Sequence, residues 1–454
     1  MFEQEEQRDE LLEKIEDLIS RKRYAELRDL LLPLEAQDIA GLFMELDDKV
    51  PMVFRLLPKE QAAEVFVELD SEEQEVLIQS FSNTELKEVL DELYLDDAVD
   101  IVEEMPANVV KRILRHADPD VRKSINEILK YPDDCAGSIM TTEYVDLKAT
   151  MTVEDALKRI RRTGPDKETI NICYVIDEGR HLLGYLSIRT ILLSEEDDVV
   201  GDIMDTHVIS ANTLDDQEDV AQTLNKYDFL ALPIVDTENR LVGIVTVDDA
   251  MDVLTEAAAE DLSIMAAVTP DEKPYFAASA WEHARHRVVW LLILMLSAAI
   301  TGSIITRYED AISAVPLLVA FLPMLMDTGG NCGSQSATLV IRGLALEEIR
   351  PRDALRVIRK ELAVAAIVSA VLAAANGLRI YLQYHDSAIA LVISLSLAAT
   401  VVLAKLVGCM LPIAAKQLHM DPAIMASPLI TTIVDAGAVL IYFQAAAALL
   451  RLPV

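Results

Sequence analysis

Apolar and polar positions follow three different rhythms along this 454-residue chain. Over residues 20–130 the apolar residues recur every three or four positions in short blocks, which predicts a series of short amphipathic helices. Phrases recur there too: IAGLFMELD ends at Asp47, AAEVFVELD at Asp70 and AVDIVEEMP at Pro106, the first two being 23 residues apart. Such self-similarity fits a superhelical solenoid of paired helices, and a plain helical bundle fits it nearly as well.

Between residues 138 and 251 a longer repeat takes over. SIMTTEYVDLKATMTVEDALKRI (138–160) is echoed by DIMDTHVISANTLDDQEDVAQTL (202–224), and YVIDEGRHLLGYLSIRTIL (174–192) by PIVDTENRLVGIVTVDDAM (233–251). The offset is 64 residues at the start and 59 at the end, which places about five extra residues of the first copy within RRTGPDKET. Each copy reads strand, helix, strand, turn, strand, helix.

The third rhythm is continuous apolarity. Five stretches have spanning length, at 288–306, 313–341, 361–382, 388–415 and 424–449, the second and fourth long enough to be tilted or broken. Basic residues gather on one side of them. Arg285 and Arg287 precede the first, Arg342, Arg350, Arg352, Arg356, Arg359 and Lys360 lie between the second and third, and Lys416 follows the fourth. The other side has Arg307, Arg379 and Arg451. This asymmetry predicts a cytosolic N-terminus, an odd number of crossings of a lipid bilayer and an external C-terminus.

Charge sharpens the division. The formal net charge of -36 is confined to the water-facing part: 65 acidic and 27 basic residues precede residue 276, against 11 and 13 from there on. So acidic a surface with no basic, aromatic-bearing run excludes nucleic acid as a partner. MFEQEEQRDELLEKIEDL is too charged for a signal peptide, so the acidic part is expected in the cytosol. Cys135, Cys173, Cys332 and Cys409 match no zinc spacing. There is no phosphate-binding loop, nucleophile elbow or HExxH helix, so the chain is not read as an enzyme.

The candidate chemistry lies inside the apolar part. PMLMDTGGNCGSQSATL (323–339) places Asp327, Asn331, Ser334, Gln335 and Ser336 within a spanning stretch. Each polar group left unpaired in hydrocarbon costs several kcal/mol, so these residues should meet partner helices or a wet cavity. Asp435 lies well inside the last span, where it serves either as a cation ligand or as a hydrogen-bond partner of Thr431, Thr432 or Asn331. Asp327 reads as a mouth residue or a packing contact, and Lys405 as a snorkelling side chain. Carboxylate and amide oxygens are hard ligands suited to Mg²⁺ or Ca²⁺, and Mg²⁺ is commonly held through its waters by one or two carboxylates.

The two repeats resemble a tandem pair of CBS domains, which dimerise and often bind adenosine nucleotides. That family's ribose-contacting Ser/Thr-x-x-Asp stands in the second copy as Thr246 to Asp249, while the first has Ser187 and Thr190 without a carboxylate. After it, Asp249, Asp252, Glu256 and Glu260 share one face of an acidic helix. The succession of acidic helical domain (1–132), repeats (133–199 and 200–255), connecting plug helix and linker (256–285) and five-helix membrane domain (286–454) resembles the MgtE family of bacterial magnesium channels. TGGNCGSQSATL and LDPAIMASPLITTIVD carry that resemblance most specifically.

The resemblance implies a multidomain fold: an α-helical superhelical N domain, an α/β CBS pair and an all-α membrane domain. It implies a homodimeric channel of the bacterial inner membrane that imports Mg²⁺ and is closed by cytosolic Mg²⁺. A cation transporter coupled to Na⁺ or H⁺ is the alternative. By the same resemblance Asp435 is the selectivity residue, and Asn331 and Gln335 line the pore. Regulatory carboxylates match Glu64, Asp96 and Asp100 in the N domain, and Asp216, Glu218 and Asp228 in the second repeat. Others match Asp249, Asp252, Glu260 and Asp261 at the plug helix, and Asp421 before the last span. ATP is expected at Thr246, Asp249 and Phe229. Asp327 departs from the small residue that the family pattern leads one to expect there.

Overall fold

The computed structural model describes residues 2–270, 275, 278–346, 348–425 and 427–452. Residues 271–274, 276 and 277 of the expected linker lie outside that set. The chain divides into two compact units, Met1–Thr255 and Glu256–Val454.

In the first unit the short apolar blocks fold as predicted into helices of about two turns that pack against the next but one. Ala36–Phe43 packs on Lys59–Val67, that helix on Asn83–Leu90, and that one on Ala107–His116. Neither face of so short a helix is stable alone, so burial between neighbours supplies the stability. Phe54 is the hub, its ring 6.5, 6.3 and 5.4 Å from those of Phe43, Phe66 and Phe81. The Arg112 guanidinium donates to the Ile78 and Phe81 carbonyls, satisfying acceptors that a helix end leaves open. The helix α1 (Leu95–Glu104) carries three carboxylates of interest and receives Glu143 at its start, the Leu95 N–H donating to Glu143 Oε2 at 3.3 Å.

Each repeat builds a three-stranded sheet. In the first, β1 (Val145–Lys148) runs parallel to β2 (Ile172–Ile176), which pairs antiparallel with β3 (Leu182–Ser187); α2 (Val153–Thr163) joins β1 to β2. The second repeats this with β4 (Ala211–Asn212), α3 (Gln217–Tyr227), β5 (Ala231–Val235) and β6 (Leu241–Thr246). Register shifts fall at Val175/Ile176 and Ile234/Val235, equivalent positions of the two copies. Thr141 and Ile244 exchange backbone hydrogen bonds at 2.9 Å, and Leu182, Tyr174, Leu241 and Ile244 form a core shared by both sheets. After β6 comes α4 (Val247–Met265), which spans residues of both units.

The second unit contains α5 (Ala280–Arg307), α6 (Leu322–Ala345), α7 (Ala354–Tyr384), α8 (Ser387–Gln417) and α9 (Ser427–Leu450). Among the described residues four helical segments are long and apolar enough to cross a membrane, those of α5, α7, α8 and α9. The segment 313–341, read as long enough to be tilted or broken, is broken. A short helix, Glu309–Ala314, and a 3-10 turn, Pro316–Phe321, precede α6. Neither Pro316 nor Pro323 can donate: the first follows the short helix and opens the turn, and the second stands in the first turn of α6. Polar residues then keep α6 below the apolarity of its neighbours.

Candidate functional site: a polar helix face and two acidic clusters

The glycines of the motif explain how α6 is seated. A β-carbon at Gly329 would stand 2.8 Å from Val434, one at Gly330 2.8 Å from Thr431, and one at Gly333 2.6 Å from Ile430. As α6 ascends in number α9 descends, so the two helices are antiparallel and pack along a glycine seam. On the α8 side, Gly408 lies directly against the Gly333 backbone, and Gly329 faces Thr400. Glycine is required here for close approach, as in membrane helix packing generally.

With the glycines turned inward, Asp327, Asn331 and Gln335 fall at i, i+4 and i+8 on a face that the chain leaves exposed. The antiparallel register brings Asp327 to the level of Asp435 on α9, close enough for the two charges to interact. Thr431 and Thr432 donate instead to the Pro428 carbonyl of their own helix, at 2.9 and 3.0 Å. Among the described residues Asp435 makes no hydrogen bond or ion pair, so the alternative reading of it as a helix–helix packing contact finds no partner.

Lys405 does not snorkel. It is 4% exposed and its Nζ lies 3.9 Å from Glu361 Oε2, while Ser336 Oγ donates to the same oxygen at 2.6 Å. Snorkelling presumes a route to the interface, and the packing of α6, α7 and α8 closes it. Glu361 was missed because, at the edge of an apolar stretch, it reads as an interfacial charge.

In the first unit a second constellation forms where α1 meets the repeats. Burial, then the charge of Asp249, holds Asp96 well above the ordinary carboxylate range. The same causes push Asp97 to about 7. Asp100, which keeps a solvent-exposed edge, is likewise raised to about 7, by burial and then by Asp249 and Asp97. Glu168 is pushed to about 8 by burial and then by Asp249 and Asp97. Glu168 belongs to the five-residue surplus of the first repeat, whose role could not be read without knowing what it faced. Asp97 was passed over beside Asp96, although LDDAVDIVEE offers both on the first turn of α1.

Asp249 was expected both as a ribose contact and as a regulatory carboxylate. Its Oδ2 accepts from the Thr246 hydroxyl, and its charge faces the acids of α1. In the first repeat Ser187 and Thr190 join hydroxyl to hydroxyl at 2.9 Å, with no carboxylate. Asp252 is raised by burial and by Asp248. Glu64 is exposed on its own helix. Asp216 caps the start of α3, accepting from the Glu218 N–H at 2.9 Å, and Asp228 ends it in a left-handed conformation, so one helix holds these three at opposite ends. In the second unit Asp261 is raised by burial and then by Asp421, with Glu260 adding to and Lys416 opposing that effect. Asp421 also accepts from the Ala423 N–H at 2.7 Å. Among the described residues no three potential ligands form a ready-made metal cage.

A pocket between the repeats is lined by Ile172, Tyr174, Tyr185, Val208, Phe229 and Pro233. Tyr227 stacks on Phe229 at 5.4 Å, and among the described residues the buried Tyr174 hydroxyl has no hydrogen-bond partner. The pocket offers aromatic faces and one free hydroxyl, suited to a planar ring. Phe229 lines it; Thr246 and Asp249 are not among its lining residues.

Acidic regulatory-type domains joined to apolar helices, one of them displaying amides and carboxylates on an open face, define the class of a cation-handling membrane protein. The chain matches the family model described as a divalent cation transporter over residues 322–445, the MgtE intracellular N domain over 34–134, and the CBS domain over 136–196 and 200–256. It is 38% identical to the magnesium transporter MgtE of Thermus thermophilus, over 94% of this chain and 95% of that one. The Bacillus subtilis magnesium transporter MgtE is 35% identical over 98% of both chains. A solved structure, the cytosolic domain of the Mg²⁺ channel MgtE in complex with ATP, superposes with a TM-score of 0.51 at 39% identity, covering 53% of this chain and 99% of that one. The chain therefore belongs to the MgtE family, whose named members here are transporters and not enzymes.

Proposed function

We propose that the chain is a Mg²⁺-selective channel that imports Mg²⁺ and is closed by Mg²⁺ on its acidic, cytosolic side. The observation that carries this reading is the open face of α6, where Asp327, Asn331 and Gln335 are exposed and, among the described residues, make no hydrogen bond or ion pair, with Asp435 of α9 close to Asp327. A two-fold related copy facing it makes a homodimeric pore in which carboxylates and amides hold a largely hydrated Mg²⁺. Asp435 is the selectivity residue, and Asn331 and Gln335 orient the ion's waters. In this reading α6 crosses the inner membrane with the four apolar helices, protected by the pore it lines.

Closure follows from the acidic clusters. Carboxylates of α1, Glu168 and Asp249 repel one another when ionised, and a divalent cation among them removes that repulsion. Asp261 and Asp421 form a similar seat at the end of the plug helix α4. Because Mg²⁺ binds the gathered arrangement more tightly, rising Mg²⁺ shifts the population toward it. Glu64, Asp216, Glu218 and Asp228 add surface carboxylates that a partner subunit can complete. The test is Mg²⁺ influx into proteoliposomes with no Na⁺ or pH gradient. Influx is expected, together with inhibition by Mg²⁺ on the face bearing the acidic domains. Influx that depends on either gradient would establish the coupled transporter instead.

An adenine nucleotide is the ligand proposed for the pocket between the repeats, with its base against Phe229 and its ribose toward Thr246 and Asp249; the aromatic lining supports this reading. Calorimetry with ATP should show binding in the parent and at least about a tenfold weaker affinity in Phe229→Ala, the loss of one base–aromatic stack. Equal affinity in both would place the nucleotide elsewhere.

A further inference from the structure

The glycine seam that seats α6 leaves a question about its rotation. Contacts of glycine with Ile430, Thr431, Val434 and Thr400 bar large turns of α6, but they form no hydrogen bond and leave the fine aim of its outward side chains to directional contacts. In a membrane the helices gain no hydrophobic stabilisation from association, so directional polar contacts matter more. One directional contact on α6 is made by Ser336, fully buried, whose hydroxyl donates to Glu361 of α7 at 2.6 Å. Lys405 of α8 lies 3.9 Å from the same carboxylate oxygen, with Glu361 8% and Lys405 4% exposed. Ser336 immediately follows Gln335, about 100° round the helix, so the bond that holds one fixes the aim of the other.

A buried ion pair is seldom retained for stability, since an apolar pair of similar volume often serves as well or better; its best-attested use is to specify register. Ionisable groups within membrane segments are costly and are by default tied to function. We propose that Glu361 and Lys405 are positioning residues of the ion path. Anchored to α6 through Ser336, they set its rotation and so hold Asn331 and Gln335 at the distance that accepts hydrated Mg²⁺. This rests on the reading of that α6 face as the path. Neither residue touches the ion; both act through Ser336. The serine hydroxyl donates or accepts equally well, so an exchange of the two charges keeps all three groups engaged.

Full-length parent, Glu361→Gln, Lys405→Gln and the exchange Glu361→Lys with Lys405→Glu are compared in proteoliposomes for Mg²⁺ and Ca²⁺ influx, after size-exclusion chromatography confirms the folded protein. Each single variant is expected to lose about tenfold of Mg²⁺ influx, as outer-shell partners of metal sites do when removed, with a lower Mg²⁺-to-Ca²⁺ ratio. The exchange is expected to restore both. Single variants that fold and keep the parent's influx and ratio overturn the proposal, as does an exchange that restores neither. Should the single variants fail to fold, Glu361→Leu with Lys405→Met removes both charges together. A reduced ratio in that pair supports the assignment and a parent-like ratio overturns it. A parent that carries no Mg²⁺ would instead remove the ion-path reading beneath it.

Discussion

Asp435→Ala is expected to bring Mg²⁺ influx into proteoliposomes down to that of protein-free vesicles, and Asp435→Asn to lower it about a hundredfold. The figure follows from the loss of roughly 3 kcal/mol of charge-assisted attraction, at about 1.4 kcal/mol for each factor of ten. Asparagine keeps the shape and one acceptor oxygen, so the loss from the parent to Asp435→Asn isolates the charge. Asp435 sits where α9 packs along the glycines of α6, at the level of Asp327. That neighbour predicts a graded outcome: Asp327→Asn leaves the proposed selectivity carboxylate in place and should reduce influx less than Asp435→Asn. Intact influx in both Asp435 variants would remove Asp435 from the selectivity site.

The second large effect concerns pH. Free aspartate and glutamate side chains titrate near 4. In the folded junction Asp97 and Asp100 are raised to about 7 and Glu168 to about 8. Between those values the gathered arrangement holds protons that separated domains release. Its stability is therefore full below about pH 4 and is lost as pH rises through about 7 to 8. On the proposed reading Mg²⁺ takes the place of those protons, so the gathered arrangement needs little of it at low pH and depends on it at high pH. Limited proteolysis of the full-length protein, titrated with Mg²⁺ at about pH 6 and about pH 8, should show protection without Mg²⁺ falling as pH rises. The Mg²⁺ concentration needed to restore it should rise toward high pH, because the cation must then supply the neutralisation that protons supply at low pH. A midpoint that moves downward with pH, or protection without Mg²⁺ that does not fall, would count against the cluster as a cation seat. Glu168→Gln should flatten the dependence, since it deletes the group with the highest value.

Sequence and structure agree most where the signal is local. Strands β2, β3, β5 and β6 were legible because alternation, turn residues and a copy of the same phrase coincided in each. The short helices of the N domain were legible from periodicity, although which helix packs on which was not, since two arrangements satisfy the same pattern. The site was legible as far as residue type goes: a lone carboxylate in an apolar span is conspicuous at any resolution of reading. What sequence withheld were relations across distance. Glu168 looked like part of a loop insertion until the fold set it against Asp249. Lys405 looked free to reach water until three helices enclosed it. Glu361 lies 44 positions away from Lys405, and neither periodicity nor composition connects the two. The break before α6 was written as Pro316 and Pro323, but only the folded chain shows that the first ends a short helix and the second starts a long one.

The close approach of Gly333 to Gly408 separates two kinds of tolerance along the same motif. At Gly329, Gly330, Gly333 and Gly408 volume is the constraint, and even alanine, chemically inert, has nowhere to put its methyl group. Asp327, Asn331 and Gln335 are exposed instead, and the packing of their own helix does not fix their volume. If that face is the ion path, its chemistry can change by single steps while the spacing of the helices behind it stays unchanged.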